Sequence, residues 1–152
     1  MNNNLKAKVK TKHGLTEQVE MAVGGRQGSK ITGRLFSLMM DGLSVKTLET
    51  QIGFPLTLET RIPVLLWVDN VISCVVGKEN QRNILGHIDQ FGKDHILRWG
   101  QDKFQVMRVG RHSINNSTTW NIGEMEICET NTYKYLGDIL SSDGKNTINI
   151  ES

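Results

Sequence analysis

Apolar and polar residues alternate along the first dozen positions. Leu5, Ala7 and Val9 are interleaved with Lys6, Lys8, Lys10 and Lys12. A period of two predicts a strand with one apolar and one basic face. Gly14 is expected to turn the chain, and residues 18–23 to return as the second strand of a hairpin. Gly24-Gly25-Arg26-Gln27-Gly28-Ser29 follows as a glycine-rich loop, with Ser29 placed to cap a helix. Leu35, Phe36, Met39, Met40 and Leu43 then recur at helical spacing. Two apolar runs, residues 61–67 and 71–76, surround Asp69-Asn70, a pattern that predicts a hairpin with a tight turn. Ile84, Leu85, Ile88 and Phe91 mark a second helix over residues 80–95, and residues 104–109, 124–127 and 133–136 are expected as strands. This order predicts an α+β fold: an antiparallel sheet with helices packed on one face.

The chain has 152 residues, of which 38% are hydrophobic. That suits one domain over residues 1–152 with a buried core. A net charge of +2 says little by itself, but its distribution says more. Residues 1–34 hold seven Lys and Arg against two acids, whereas residues 118–152 hold two Lys against six acids. The lysine-bearing strand is therefore either a solvated edge or a face that meets nucleic-acid phosphates. Cys74 and Cys128 make no disulfide framework, and the first ten residues contain no apolar leader. A soluble intracellular protein of nucleus or cytoplasm, neither secreted nor membrane-bound, is expected. The glycine loop lacks the second glycine of a nucleoside-triphosphate-binding P-loop, because Ser29 stands at that position. The histidines and cysteines have no zinc spacing, and no hydrolase signature is present. Cys74, on the second apolar run, reads as a small buried group rather than a nucleophile.

Four segments, in order, resemble motifs B to E of the reverse transcriptases of non-LTR (LINE-type) retrotransposons. Arg26-Gln27-Gly28-Ser29 with Leu35-Phe36 is similar to motif B, and Leu65-Leu66-Trp67-Val68-Asp69-Asn70 to motif C. Trp99-Gly100-Gln101-Asp102-Lys103 with Val106-Met107 is similar to motif D. Tyr133-Lys134-Tyr135-Leu136-Gly137 is similar to the segment near motif E. The resemblance covers about residues 11–140 and implies part of a polymerase palm. It implies Asp69 as a Mg2+ ligand, Lys103 as a proton donor to the leaving pyrophosphate, and Arg26, Gln27 and Gly28 beside nucleotide and template. The implied partners are an RNA template, a DNA primer and a dNTP. The reaction joins a primer 3′-hydroxyl to an α-phosphate between two metal ions.

The departures are specific. Trp67-Val68 stands for the family's Tyr-Ala, Asn70 for its second aspartate, Gly25 for a small hydrophobic residue and Gly33 for a proline. No counterpart of the motif A aspartate precedes these motifs. The expectation is a fragment of a retrotransposon RNA-directed DNA polymerase, inactive alone. The alternative is a non-catalytic, nucleic-acid-binding remnant that uses Lys6, Lys8, Lys10 and Lys12. Read without the resemblance, Asp69-Asn70 is turn chemistry, Lys103 a surface lysine, and the tyrosines core aromatics.

Overall fold

The structure, a computed structural model, describes residues 5–21, 30–110 and 118–145. The fold is α+β, with two α-helices and short, mostly antiparallel strands among the described residues. The chain divides into two compact units, Met1–Met39 and Met40–Ser152. Among the described residues, no helix is long and apolar enough to cross a membrane.

In the first unit the alternating segment does pair with a returning strand. β1 (Leu5–Ala7) runs antiparallel to β4 (Val19–Met21), and inside them β2 (Lys10–Thr11) pairs with β3 (Gly14–Leu15). Lys8 and Val9 face Thr16 to Gln18, two residues against three, so the return strand carries a bulge. Thr16 stitches the bulge: its N–H donates to the Val9 carbonyl at 3.0 Å, and its Oγ1 accepts from the Val9 N–H at 3.0 Å. The apolar side of this hairpin is not buried, with Val9 61% and Val19 60% exposed. A two-stranded ribbon without a covered face has little to stabilise it.

Helix α1 (Lys30–Glu49) begins in the first unit and ends in the second, six residues beyond the last apolar position that predicted it. Within the second unit it contributes Met40, Leu43 and Thr47 to the core. The buried Thr47 hydroxyl donates to the Leu43 carbonyl at 2.9 Å, which satisfies it locally. Helix α2 (Lys78–Asp94) buries Ile84, Leu85, Ile88 and Phe91, the stripe its periodicity predicts. It packs on β10 (Trp120–Ile122), whose Trp120 and Ile122 point inward. Gly92 lets the Trp99 indole approach the helix: an added Cβ would stand 2.5 Å from Trp99 Nε1. Lys46 reaches from α1 to α2, pairing with Asp94 at 2.8 Å while its ammonium lies 5.7 Å from the Phe91 ring centre.

The strands do not form the one sheet that the sequence pattern implies. Among the described residues they make five two-stranded ladders and one three-stranded sheet. β5 (Phe54–Pro55) pairs with β6 (Arg61–Ile62), and β7 (Val64–Trp67) with β8 (Asn70–Ser73). Backbone bonds knit these two ladders together, from Phe54 N–H to the Cys74 carbonyl at 2.8 Å and from Cys74 N–H to the Pro63 carbonyl at 2.9 Å. The three-stranded sheet orders β10, β11 (Met125–Glu129) and β9 (Gln105–Val106), with β9 parallel to β11. β12 (Thr132–Tyr135) and β13 (Asp138–Ser141) close the described chain as a hairpin.

Candidate functional site

The two apolar runs around Asp69 fold as expected into an antiparallel hairpin, with pairs Val64–Ser73, Leu65–Ile72, Leu66–Val71 and Trp67–Asn70. The turn sits one residue earlier than the pattern suggests. Val68 and Asp69 are its central residues, and Asn70 already belongs to β8. Val68 has a φ of +56°. Positive φ at the first central residue alone is the sign pattern of a type II′ turn, which favours glycine there. A β-branched residue in this region is strained, at a cost of about 1–3 kcal/mol.

The pleat divides the hairpin into two faces. Val64, Leu66, Val71 and Ser73 share one, on which Val64 is buried and the Ser73 hydroxyl accepts from the Gln81 amide of α2 at 2.9 Å. Leu65, Trp67, Ile72 and Asn70 share the other, on which Trp67 is 61% exposed. Cross-strand pairing therefore sets the Trp67 indole beside the Asn70 amide at the base of the turn. Asp69 is exposed at the tip. Its carboxylate is presented by two paired strands, one of which is anchored to a helix, so the mount is firm although the tip is wet. Among the described residues, no three of His, Cys, Asp and Glu gather around one point. Any cation held at Asp69 would take the rest of its oxygen ligands from phosphates and water. Cys74, one residue past β8, is half-buried, and desolvation raises its thiol pKa. A thiol so placed is a poor nucleophile.

Lys103 ends a 3-10 turn over Gln101–Lys103 and is exposed. Its aliphatic stem passes over Gly100, 3.7 Å from where a Cβ would stand. Trp99 and Phe104 flank this turn and meet edge to face, their ring centres 5.6 Å apart. Phe104 leads into β9, a much shorter strand than residues 104–109 suggested. The Tyr133-to-Gly137 segment forms β12 and its turn, with both tyrosines half-buried and Leu136 and Gly137 at φ +50° and +104°. Two successive positive φ values make a type I′ turn, the tight connection that matches strand twist.

Arg26, Gln27, Gly28 and the Ser29 cap lie outside the described residues. Of the four lysines, Lys6 lies in β1, Lys10 in β2, Lys8 between them and Lys12 in the turn of the inner hairpin. Lys6 faces Glu20 across the ladder at 3.8 Å, which offsets part of its charge. All four are exposed.

Several features gave no signal in the sequence. The strain at Val68 is invisible because valine predicts a strand interior, not a turn. The Arg108–Glu129 ion pair joins residues 21 apart, and Glu129 also accepts from the Trp120 indole at 3.4 Å. No local pattern links those three positions. No protein-family model matches the chain, and comparison with curated proteins finds no match.

Proposed function

We propose that the chain carries the motif B-to-E part of a palm from a non-LTR retrotransposon reverse transcriptase, and that these 152 residues do not polymerise DNA by themselves. The observation that carries this reading is the turn at Asp69: an exposed carboxylate at the tip of an antiparallel hairpin. It is supported by the order of the motif-like segments on both sides. Asp69 would be the Mg2+ ligand of the two-metal reaction, and Lys103 would protonate the leaving pyrophosphate. Arg26, Gln27 and Gly28 would line the nucleotide and the RNA template–DNA primer. The two-metal mechanism needs carboxylates on both sides of the metal pair. Here Asp69 is followed by neutral Asn70, and no counterpart of the motif A aspartate lies within the sequence.

Primer extension on a poly(A) template with Mg2+ or Mn2+ tests the second half of the proposal. No incorporation above background is expected, for the chain or for Asn70→Asp, which restores charge but not the second ligand. Incorporation that vanishes in Asp69→Ala would overturn it. The lineage is tested on the DNA flanking the coding segment, where an in-frame motif A is expected upstream. Flanks with no polymerase-like coding sequence on either side would sink it.

A second reading, a non-catalytic nucleic-acid-binding remnant, is favoured by the open basic hairpin. Lys8, Lys10 and Lys12 are exposed and enter no ion pair among the described residues.

A further inference from the structure

Helix α2 turns its apolar stripe to the core, and the opposite strip of the same helix floors an open groove of about 670 Å³ within the second unit. That volume falls in the range of about 300–1,000 Å³ found for small-molecule sites. The facing wall is the turn after α1, with Thr50 and Ile52 half-buried. Its own hydrogen bonds hold it. The Thr50 hydroxyl donates to the Thr47 carbonyl at 2.6 Å and accepts from the Ile52 N–H at 3.1 Å. Gln51, at φ +57°, donates its N–H to the Leu48 carbonyl at 3.2 Å and takes the left-handed conformation that ends a helix. With its hydroxyl committed twice, Thr50 has its methyl for the groove, beside Ile52, so this wall is apolar.

The floor is polar and has a bare centre. Arg82 and Asn83 stand four and three residues before Gly86, His87 next to it and Gln90 four residues after, so their side chains ring one patch of helix. A Cβ at Gly86 would meet nothing within 4 Å, whereas one at Gly92 would strike the Trp99 indole. Glycine in a helix interior is destabilising, and at Gly86 what it supplies is open space. No acid lines the groove. Glu79 approaches Arg82 at 3.7 Å from the preceding turn, and Asp89 pairs with Lys93 at 2.6 Å. Gln90 gives an amide N–H to Asp94 at 2.8 Å and keeps its carbonyl oxygen. The remaining donors are the Arg82 guanidinium, the Asn83 amide and the His87 imidazole.

We propose that this groove binds a small aromatic phosphate of mononucleotide size, with its ring over Gly86 against the apolar wall and its phosphate on Arg82 and Asn83. An apolar wall facing a floor of donors without an acid selects a flat ring joined to an anion. A guanidinium suits phosphate because its planar fork donates to two oxygens at once. From Arg82 to Gln90 the floor runs about 12 Å at 1.5 Å per residue, room for a ring, a sugar and a phosphate in line. The Arg82–Glu79 pair is exposed on both sides, at 54% and 77%, so a phosphate displaces it easily. The groove includes no residue of the Asp69 hairpin, so the proposal stands apart from the palm reading.

The test is a titration of the whole isotope-labelled chain with adenosine monophosphate, followed in two-dimensional amide NMR spectra. A Kd on the order of 100 µM is expected, with the shifts concentrated at residues 50–52 and 82–90. Adenosine and inorganic phosphate, each offering one part of the ligand, should each bind at least about tenfold more weakly. Arg82→Gln should weaken adenosine monophosphate about tenfold. Gly86→Leu should weaken it at least about tenfold while raising the thermal midpoint, because leucine is the better helix former and fills the patch. Gly86→Ala should act in the same direction, about threefold on binding. The absence of shifts up to about 5 mM overturns the proposal. So do shifts centred on residues 65–72, adenosine binding as tightly as its monophosphate, or binding that neither Gly86 variant weakens.

Discussion

Val68 concentrates the conflict between local preference and position. Its side chain favours extended backbone, yet it occupies the one place in the Asp69 turn that asks for positive φ. Such a residue persists when the pairs on either side hold it, and here the Trp67–Asn70 and Leu66–Val71 pairs do so. Val68→Gly should therefore stabilise the protein despite the entropy glycine adds to the unfolded chain. Relief of about 1–3 kcal/mol of strain against about 0.5–1 kcal/mol of entropy leaves a net gain of about 1 kcal/mol. Urea unfolding followed by tryptophan fluorescence would read it as a higher midpoint with unchanged slope. A lower midpoint would mean that the valine side chain packs better than its exposure implies. Trp67 bears on the site differently: its indole is open to solvent beside Asn70, so the turn offers an aromatic face, an amide and a carboxylate within four consecutive residues.

Among the elements, α1 and α2 are joined through Lys46, which pairs with Asp94 and lies over the Phe91 ring. Lys46 donates to Asp94 at 2.8 Å, and Gln90 donates to its other oxygen at 2.8 Å. These two hydrogen bonds, the Lys46 one first, hold the Asp94 carboxyl below its ordinary 3.8. A carboxyl depressed in the folded state binds its proton more weakly than the unfolded chain does. Its contribution is present above the ordinary value and is lost as pH falls through the lowered one. Asp94→Asn should thus flatten the acid limb of the stability profile. As pH falls from the ordinary carboxylate value through the lowered one the parent should lose more stability than the variant, and near neutrality the variant should be the weaker. Both groups are substantially exposed, at 48% for Lys46 and 39% for Asp94, so the difference should shrink in high salt. Parallel profiles for the two proteins would show that the pair contributes nothing.

For the molecule as a whole, charge is the property most open to test. The basic hairpin leaves Lys8, Lys10 and Lys12 exposed, with Lys6 facing Glu20. Replacing Lys8, Lys10 and Lys12 together with Gln should weaken binding to RNA or DNA. Each lost phosphate contact should flatten the slope of log affinity against log salt by about one unit, about three in all. Lys6→Gln should change that slope far less. Fluorescence anisotropy with a labelled oligonucleotide at several salt concentrations would measure it. A slope unchanged by the triple replacement would make the lysines a solubilising edge, the use that exposed strand edges commonly make of them.

The sequence by itself determined the elements whose signal is local. The 84, 85, 88, 91 stripe identifies α2 because a helix brings those positions to one side, and a buried side must be apolar. The runs around Asp69 identify the hairpin because its partners are only a few residues apart and a short polar stop separates them. The alternation at residues 5–12 likewise identifies a strand, though not the bulge opposite it. What depends on distant partners was not legible. The sequence implied one sheet, but which strands share a ladder is a matter of long-range pairing. β9 lies beside β11 in parallel, some 23 residues away, through contacts that no local period encodes. The Arg108–Glu129–Trp120 cluster and the close seat of Trp99 on Gly92 are likewise tertiary. The same division runs through the candidate site. The resemblance of four ordered segments nominates Asp69 and Lys103, which residue types alone would leave as a turn and a surface lysine, but the exposure of Trp67 and the strain at Val68 follow from which neighbours arrive in space. An apolar pattern records that a face is to be covered, and only the packed structure decides by what.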